Sequence, residues 1–136
     1  MPTYASGEPT TGNENTMKAF ELGFFSIPVT DMKVAKDFYG KVMGWEFQDR
    51  DPNFTYIFAN ENMAGSFEIA SEKFSPSENG PLLFFRADFM EKTLARVTAA
   101  GGTVKEKEAM EGGARGYTAK ILDPFKNTVG FWAPEN

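Results

Sequence analysis

No histidine and no cysteine occur anywhere in the 136 residues. The first absence removes the side chain that most readily titrates near neutral pH, and the second removes disulfides and thiolate chemistry. Together they take away the ligands that zinc, nickel and ferrous iron favour. The redox compartment stays open, because a chain without cysteine has nothing to oxidise there. Basic residues are in the minority: 14 Lys and Arg stand against 19 Asp and Glu, for a formal charge of −5. A phosphate backbone needs a basic face, so nucleic acid is not expected as a partner. No apolar run approaches the roughly 20 residues that cross a bilayer. The opening MPTYASGEPTTGNENTM has neither a basic n-region nor an apolar h-region. It does not read as a secretory signal, so no membrane partner is expected and the cytoplasm is the expected location. Walker-type and dinucleotide-type glycine patterns are also missing, and GGARG at 112–116 reads as the turn of a hairpin.

What is abundant is aromatic surface. With 41% apolar residues, among them 14 Phe, the chain can bury a core as one domain. Residues 1–17 are polar and without period, which predicts a flexible N-terminal arm, either disordered or strapped across a partner subunit. The single folded domain is expected over 18–136.

Its pattern runs twice. A strand is predicted at 21–29. A helix follows over 31–43, capped by Thr30 or Asp31, with an apolar stripe of Val34, Ala35, Phe38 and Val42, and stopped at Gly44. Three strands follow: one around Trp45 and Phe47, one with Phe54, Tyr56 and Phe58 on a single face, and one over 64–70. After a linker at 71–79 the order repeats. PLLFFRA is a strand, Asp88 with Glu91 resembles a capping box, and Met90, Leu94 and Val97 form a helix stripe that ends at Gly101-Gly102. Strand signals at 103–109, 115–122 and 127–133 complete it. Asp31 and Asp88 stand 57 residues apart, as do Gly44 and Gly101, so the chain reads as a duplication. The expected class is α+β: two βαβββ modules (about 20–70 and 80–134) forming a cupped mixed sheet, with the helices on its outer face.

Two stretches carry a family resemblance. FFSIPVTDMKVAKDFYGKVMGWEF spans 24–47; RADFMEKTLARVTAAGGTV (86–104) and GYTAKILDPFKNTVGFW (116–132) form the second. Together they resemble the vicinal-oxygen-chelate superfamily of glyoxalase I, bleomycin-resistance proteins and extradiol dioxygenases, over about 21–133. The resemblance implies a ligand site inside the cup and commonly a homodimer. Metal-using members of that family place a His or Gln on the first strand of a module and a Glu on its last. Those positions fall here at Phe24, at Gly130, and at Pro81, Leu82 or Leu83. None of these side chains can ligate a metal, so no metal and no cofactor is expected.

The remaining candidates line the expected cup. Phe24, Tyr56, Leu82, Phe84, Tyr117 and Trp132 offer an aromatic and apolar wall for a flat or greasy ligand, unless they fill the cup as core. Arg86 ends an apolar strand, where it either pairs with an anionic ligand group or reaches solvent; Lys120 has the same two options. Glu68, between Phe67 and Ile69, is the candidate acid or base if the site is catalytic. Ser66 has no His or Lys partner near it in sequence to make it a nucleophile. The preferred reading is metal-independent binding or sequestering of a small apolar or aromatic molecule. The alternative is a lyase, isomerase or dioxygenase-like enzyme using carboxylate chemistry or an oxygen-ligated metal, and an interaction subunit with a filled cup is the third.

Overall fold

The computed structural model describes residues 17–71, 74–76 and 79–136. The arm up to residue 16 and four linker positions lie outside the described residues. Module one consists of β1 (Phe25–Val29), α1 (Met32–Met43), β2 (Glu46–Asp51), β3 (Phe54–Ala59) and β4 (Asn62–Ile69). Module two repeats it as β5 (Phe84–Arg86), α2 (Met90–Ala99), β6 (Thr103–Ala109), β7 (Tyr117–Leu122) and β8 (Thr128–Ala133). The strand orders are β1-β4-β3-β2 and β5-β8-β7-β6, with the first and last strands of each module parallel and the other pairs antiparallel.

The duplication therefore holds at the level of topology. The two modules form two open four-stranded mixed sheets, in keeping with the expected α+β class. They meet along β1 and β5 through side chains: the Phe25 and Phe85 rings lie 5.2 Å apart, and Asn127 Nδ2 donates to the Pro28 carbonyl at 2.8 Å.

Helix α1 forms where its signals placed it. The Asp31 side chain accepts from Val34 N at 3.0 Å, and Gly44 closes the helix at φ 70°. Its buried face is Ala35, Phe38, Tyr39 and Val42, while Val34 is 40% exposed; the stripe is rotated from the expected one because Tyr39 takes the inner position. The start of α2 differs more. Asp88 does not cap it; Phe89 is the N-cap residue and makes no side-chain bond. The C-terminal segment does that work instead, since Met90 N donates to Glu135 O and Glu91 N to Asn136 O. A tertiary contact with the C-terminal residues has replaced a local cap.

Both helices pack on one side of the strands, over a core that includes Phe38, Tyr39, Phe67, Leu94 and Phe131. Among the described residues four polar side chains are buried, Thr55, Ser66, Thr93 and Asp123, and two of them belong to hydrogen-bonded groups that include a carboxylate. Asp123, 3% exposed, receives the Tyr39 hydroxyl at 2.8 Å, Asn127 Nδ2 at 3.0 Å, and the backbone N–H groups of Phe125 and Asn127 at 2.8 and 2.9 Å. Burial pushes its carboxyl up while these donors pull against the shift; burial, then the neighbouring carboxylate, pushes the Tyr39 hydroxyl up as well. Thr55, fully buried, donates to Asp49 Oδ1 at 2.7 Å, and Lys36 Nζ lies 3.1 Å from the same carboxylate.

The Thr55 hydroxyl, then Lys36, holds the Asp49 carboxyl below its usual range. A carboxylate whose folded value is depressed stabilises fully above the unfolded value of about 3.9, and that contribution disappears as pH falls through the folded value. Thr55→Val removes the larger cause. Its urea midpoint should therefore fall less steeply than the wild type's on acidification from about pH 5 to about pH 2. Parallel slopes for the two proteins would contradict this account.

Candidate functional site

Strand parity decides which side chains face away from the helices. In β1, Phe25, Ile27 and Val29 are buried against α1, so Phe24, Ser26 and Pro28 face the other way. The parallel register sets Ser26 beside Ser66 and Pro28 beside Glu68 on β4, and β3 adds Tyr56 opposite Ser66 and Phe54 opposite Glu68. Glu68 accepts the Ser26 hydroxyl at 2.8 Å, and the Ser66 hydroxyl lies 3.4 Å from Ser26 Oγ. Glu68 thus sits on the helix-free face as an exposed hydrogen-bonded carboxylate. The sequence reading missed Ser26, although alternation from Ile27 and Val29 would have placed it there.

In module two, Phe85 and Phe131 pack inward, so Leu82, Phe84, Arg86 and Trp132 share the helix-free face with Lys120. Arg86 Cζ stands 5.8 Å from the Trp132 ring and Arg86 Nη2 3.8 Å from Asp88; Lys120 Nζ pairs with Glu106 at 3.3 Å. Tyr117 does not belong to this wall. It alternates with Ala119 and Ile121, pairs with Ala133 and packs on the core from the helix side. The strand begins at Tyr117, one step out of phase with the expected aromatic face. Phe24 and Phe84 are 43% and 48% exposed, so these rings do not fill an enclosed core.

The wall candidates thus form two groups, one per module. At the seam between them is a slot of about 350 Å³, lined by Ser26, Pro28, Phe74, Pro81, Leu83 and Thr128 among others. A second hollow of about 590 Å³ lies against Lys105, Glu106, Lys120, Leu122 and Lys126. In the parallel ladder Phe84 pairs with Gly130, and a Cβ built on Gly130 would meet the Phe84 ring at 2.6 Å. The ring thus lies across the glycine.

Residues 21–131 match the Glyoxalase/Bleomycin resistance protein/Dioxygenase superfamily. The chain belongs to this family. Among curated proteins no sequence matches it. Solved relatives share the family fold. The fosfomycin resistance protein FosX from Listeria monocytogenes, complexed with Mn(II) and sulfate ion, superposes with a TM-score of 0.69 at 13% identity, over 85% of this chain and 91% of that one. A glyoxalase/bleomycin resistance protein/dioxygenase family enzyme from Burkholderia phytofirmans PsJN gives 0.66 at 23% identity, over 83% and 98%. Lactoylglutathione lyase from Agrobacterium tumefaciens gives 0.62 at 19%, over 85% and 96%. At these identities the likeness is one of fold, and the fold hosts many chemistries.

The family's metal can be tested against the residues present. The expected carboxylate position is Gly130, whose side-chain space is taken by the Phe84 ring, and the expected first-strand position is Phe24. Among the described residues no group of three or more His, Cys, Asp or Glu side chains converges to hold an ion. Glu68, on the last strand of module one, is a lone carboxylate beside the Ser26 hydroxyl, so among the described residues the donor set does not fit a resident metal. No helix of the described residues is long and apolar enough to cross a membrane.

Proposed function

We propose that this family member binds a small, largely apolar or aromatic molecule on the helix-free face of its sheets, without a metal, as a binding or sequestering protein. The observation that carries this reading is the Phe84 ring lying over Gly130, where the family pattern expects a metal-binding carboxylate. An apolar contact stands in the place of a charged one. Phe24, Tyr56, Leu82 and Trp132 extend the apolar surface, with Arg86 and the Ser26–Glu68 pair at hand to orient a polar substituent. A second copy of the chain closing over the half-exposed Phe24 and Phe84 completes the cup, so a homodimer is part of the reading. The reading includes no nucleic acid, given the charge of −5, and no membrane, since no apolar run is long enough to cross one, and it takes the cytoplasm as the location.

The test uses N-phenyl-1-naphthylamine, a neutral fluorescent aromatic, on protein stripped with a chelator. Saturable binding should be equal with and without added Mn(II). Phe84→Ala and Trp132→Ala should each weaken it about tenfold, the worth of losing part of one buried ring. Binding that appears only with the metal, or that ignores both substitutions, sinks the proposal. A glyoxalase-like activity lost in Glu68→Gln would put the enzymatic reading in its place.

A further inference from the structure

The sequence holds one Asn-Gly step, Asn79-Gly80, and it falls between the two modules. Both residues are exposed, and the chain bends there. We propose that Asn79 is a site of spontaneous modification: its side-chain amide is lost to attack by the Gly80 backbone nitrogen, and the carboxylate that results is received by the lysines of the hollow beside β6 and β7.

The step needs only water. The Gly80 nitrogen bonds to Asn79 Cγ, the Cγ–Nδ2 bond breaks, and the proton from the attacking nitrogen leaves with the amide as ammonia. A five-membered succinimide ring remains. Water opens it at either carbonyl, giving aspartate or, where the main chain then runs through the side-chain carboxyl, isoaspartate. Nothing is oxidised or reduced. The attacking nitrogen has to turn onto Cγ, and glycine, with no Cβ, reaches the backbone angles this requires without a clash. An exposed polar connection permits that turning where a strand or a hydrogen-bonded turn does not.

Asn53, Asn60, Asn62 and Asn127 lack these conditions. Asn53 precedes Phe54, and its N–H is tied to Asp51 Oδ1 at 2.8 Å. Asn60 stands in the β3–β4 turn at φ 50° and precedes Glu61. Asn62 opens β4 and precedes the buried Met63. Asn127 precedes Thr128, and its amide donates to the Pro28 carbonyl at 2.8 Å and to Asp123 Oδ2 at 3.0 Å.

The surroundings point the same way. Asn79 lines the hollow of about 590 Å³ together with Lys105, Lys120, Lys126 and Thr128. Among the described residues Glu106 is the one carboxylate of that lining, and it pairs with Lys120 at 3.3 Å. Attack on Cγ puts negative charge on the amide oxygen, and neighbouring ammonium groups favour that charge. They favour the product carboxylate as well, which adds one negative charge to the chain's −5 where cations outnumber acids. Water screens such pairs, so the fold should tolerate the change. Because Lys120 lies on the helix-free face, that face becomes more acidic as the protein ages.

The experiment incubates the full chain at physiological temperature and pH in water labelled with heavy oxygen, and maps its peptides by mass spectrometry over time. The peptide holding Asn79-Gly80 should exchange NH2 for OH, take up the label and split into aspartyl and isoaspartyl forms. Peptides holding Asn53, Asn60, Asn62 and Asn127 should stay intact over the same interval. Gly80→Ala, whose methyl group crowds the attacking nitrogen, should slow the conversion about tenfold. Lys105→Gln combined with Lys126→Gln should slow it about threefold. An Asn79 that stays intact, equal rates at the other asparagines, or indifference to Gly80→Ala or to the lysine pair would each overturn the proposal.

Discussion

Replacing Asp123 by Ala should cost about 3–4 kcal/mol of stability, among the largest effects of any single polar substitution in this chain. The carboxylate satisfies four donors at once: the Tyr39 hydroxyl, the Asn127 amide, and the N–H groups of Phe125 and Asn127. Truncation leaves them facing a small void with little access to water, and a buried donor without a partner forfeits its full desolvation cost. Part of the loss is returned, since the variant no longer desolvates a carboxylate. The geometry also spans the molecule. Tyr39 belongs to α1 in module one, Asp123 and Asn127 to the β7–β8 turn in module two, and Asn127 reaches on to Pro28 in β1. Tyr39→Phe removes one of the four donors and keeps the ring, so it should cost about 1–2 kcal/mol. Urea unfolding of the three proteins measures both. If Asp123→Ala were no worse than Tyr39→Phe, the carboxylate would not be the hub described here.

The second large effect separates two glycines that look alike. A Cβ on Gly65 would lie 2.6 Å from the Phe25 carbonyl oxygen and 2.7 Å from its ring; a Cβ on Gly130 would lie 2.6 Å from the Phe84 ring. Distance alone predicts equal cost, but the neighbours differ in what they can do. The Phe25 carbonyl is backbone of a strand paired to β4, and its ring is 9% exposed and wedged against Trp45 and Phe85. Nothing there can give. The Phe84 ring is 48% exposed and can swing towards solvent. Gly65→Ala should therefore cost about 3 kcal/mol or more, and Gly130→Ala about 1 kcal/mol. Thermal and urea unfolding of the pair decides it, and comparable losses would mean that the Phe84 ring is pinned in place. Because the cost at Gly130 is modest, that position remains open to substitution, whereas Gly65 does not.

These contrasts show where the sequence was readable. Helix α1 could be placed from its ends inward because Asp31 and Gly44 act locally, one as a cap and one through a positive φ. The duplication was readable for the same reason: each module repeats local signals at one spacing. The start of α2 is not legible locally because its first N–H groups are satisfied from Glu135 and Asn136, far along the chain. Strand faces were the harder part. In β3 the aromatic set Phe54, Tyr56 and Phe58 turns away from the helices, while Thr55 and Ile57 are the fully buried pair. Hydrophobicity favours the wrong face there, because the buried hydroxyl of Thr55 is rescued by Asp49. In 81–87 both faces are apolar and alternation carries no sign. Residue type alone points Tyr117 to the wall, and the register with Ala133 puts it on the other side. Arg96, whose Nε donates to Val42 O at 3.2 Å, had no signal at all, since its partner is a carbonyl.

The seam has one more consequence. Because β1 and β5 turn their unladdered edges towards each other, the edges left to the outside are those of β2 and β6. These are the two most heavily charged strands, EFQDRD and TVKEKEA, and nearly every residue in them is exposed. An open strand edge invites pairing with another chain, and rows of mixed charge make that pairing costly. A fold with two unclosed sheets has thus kept its bare backbone at the centre and put its least adhesive strands at the rims, which predisposes it to stay dispersed when crowded.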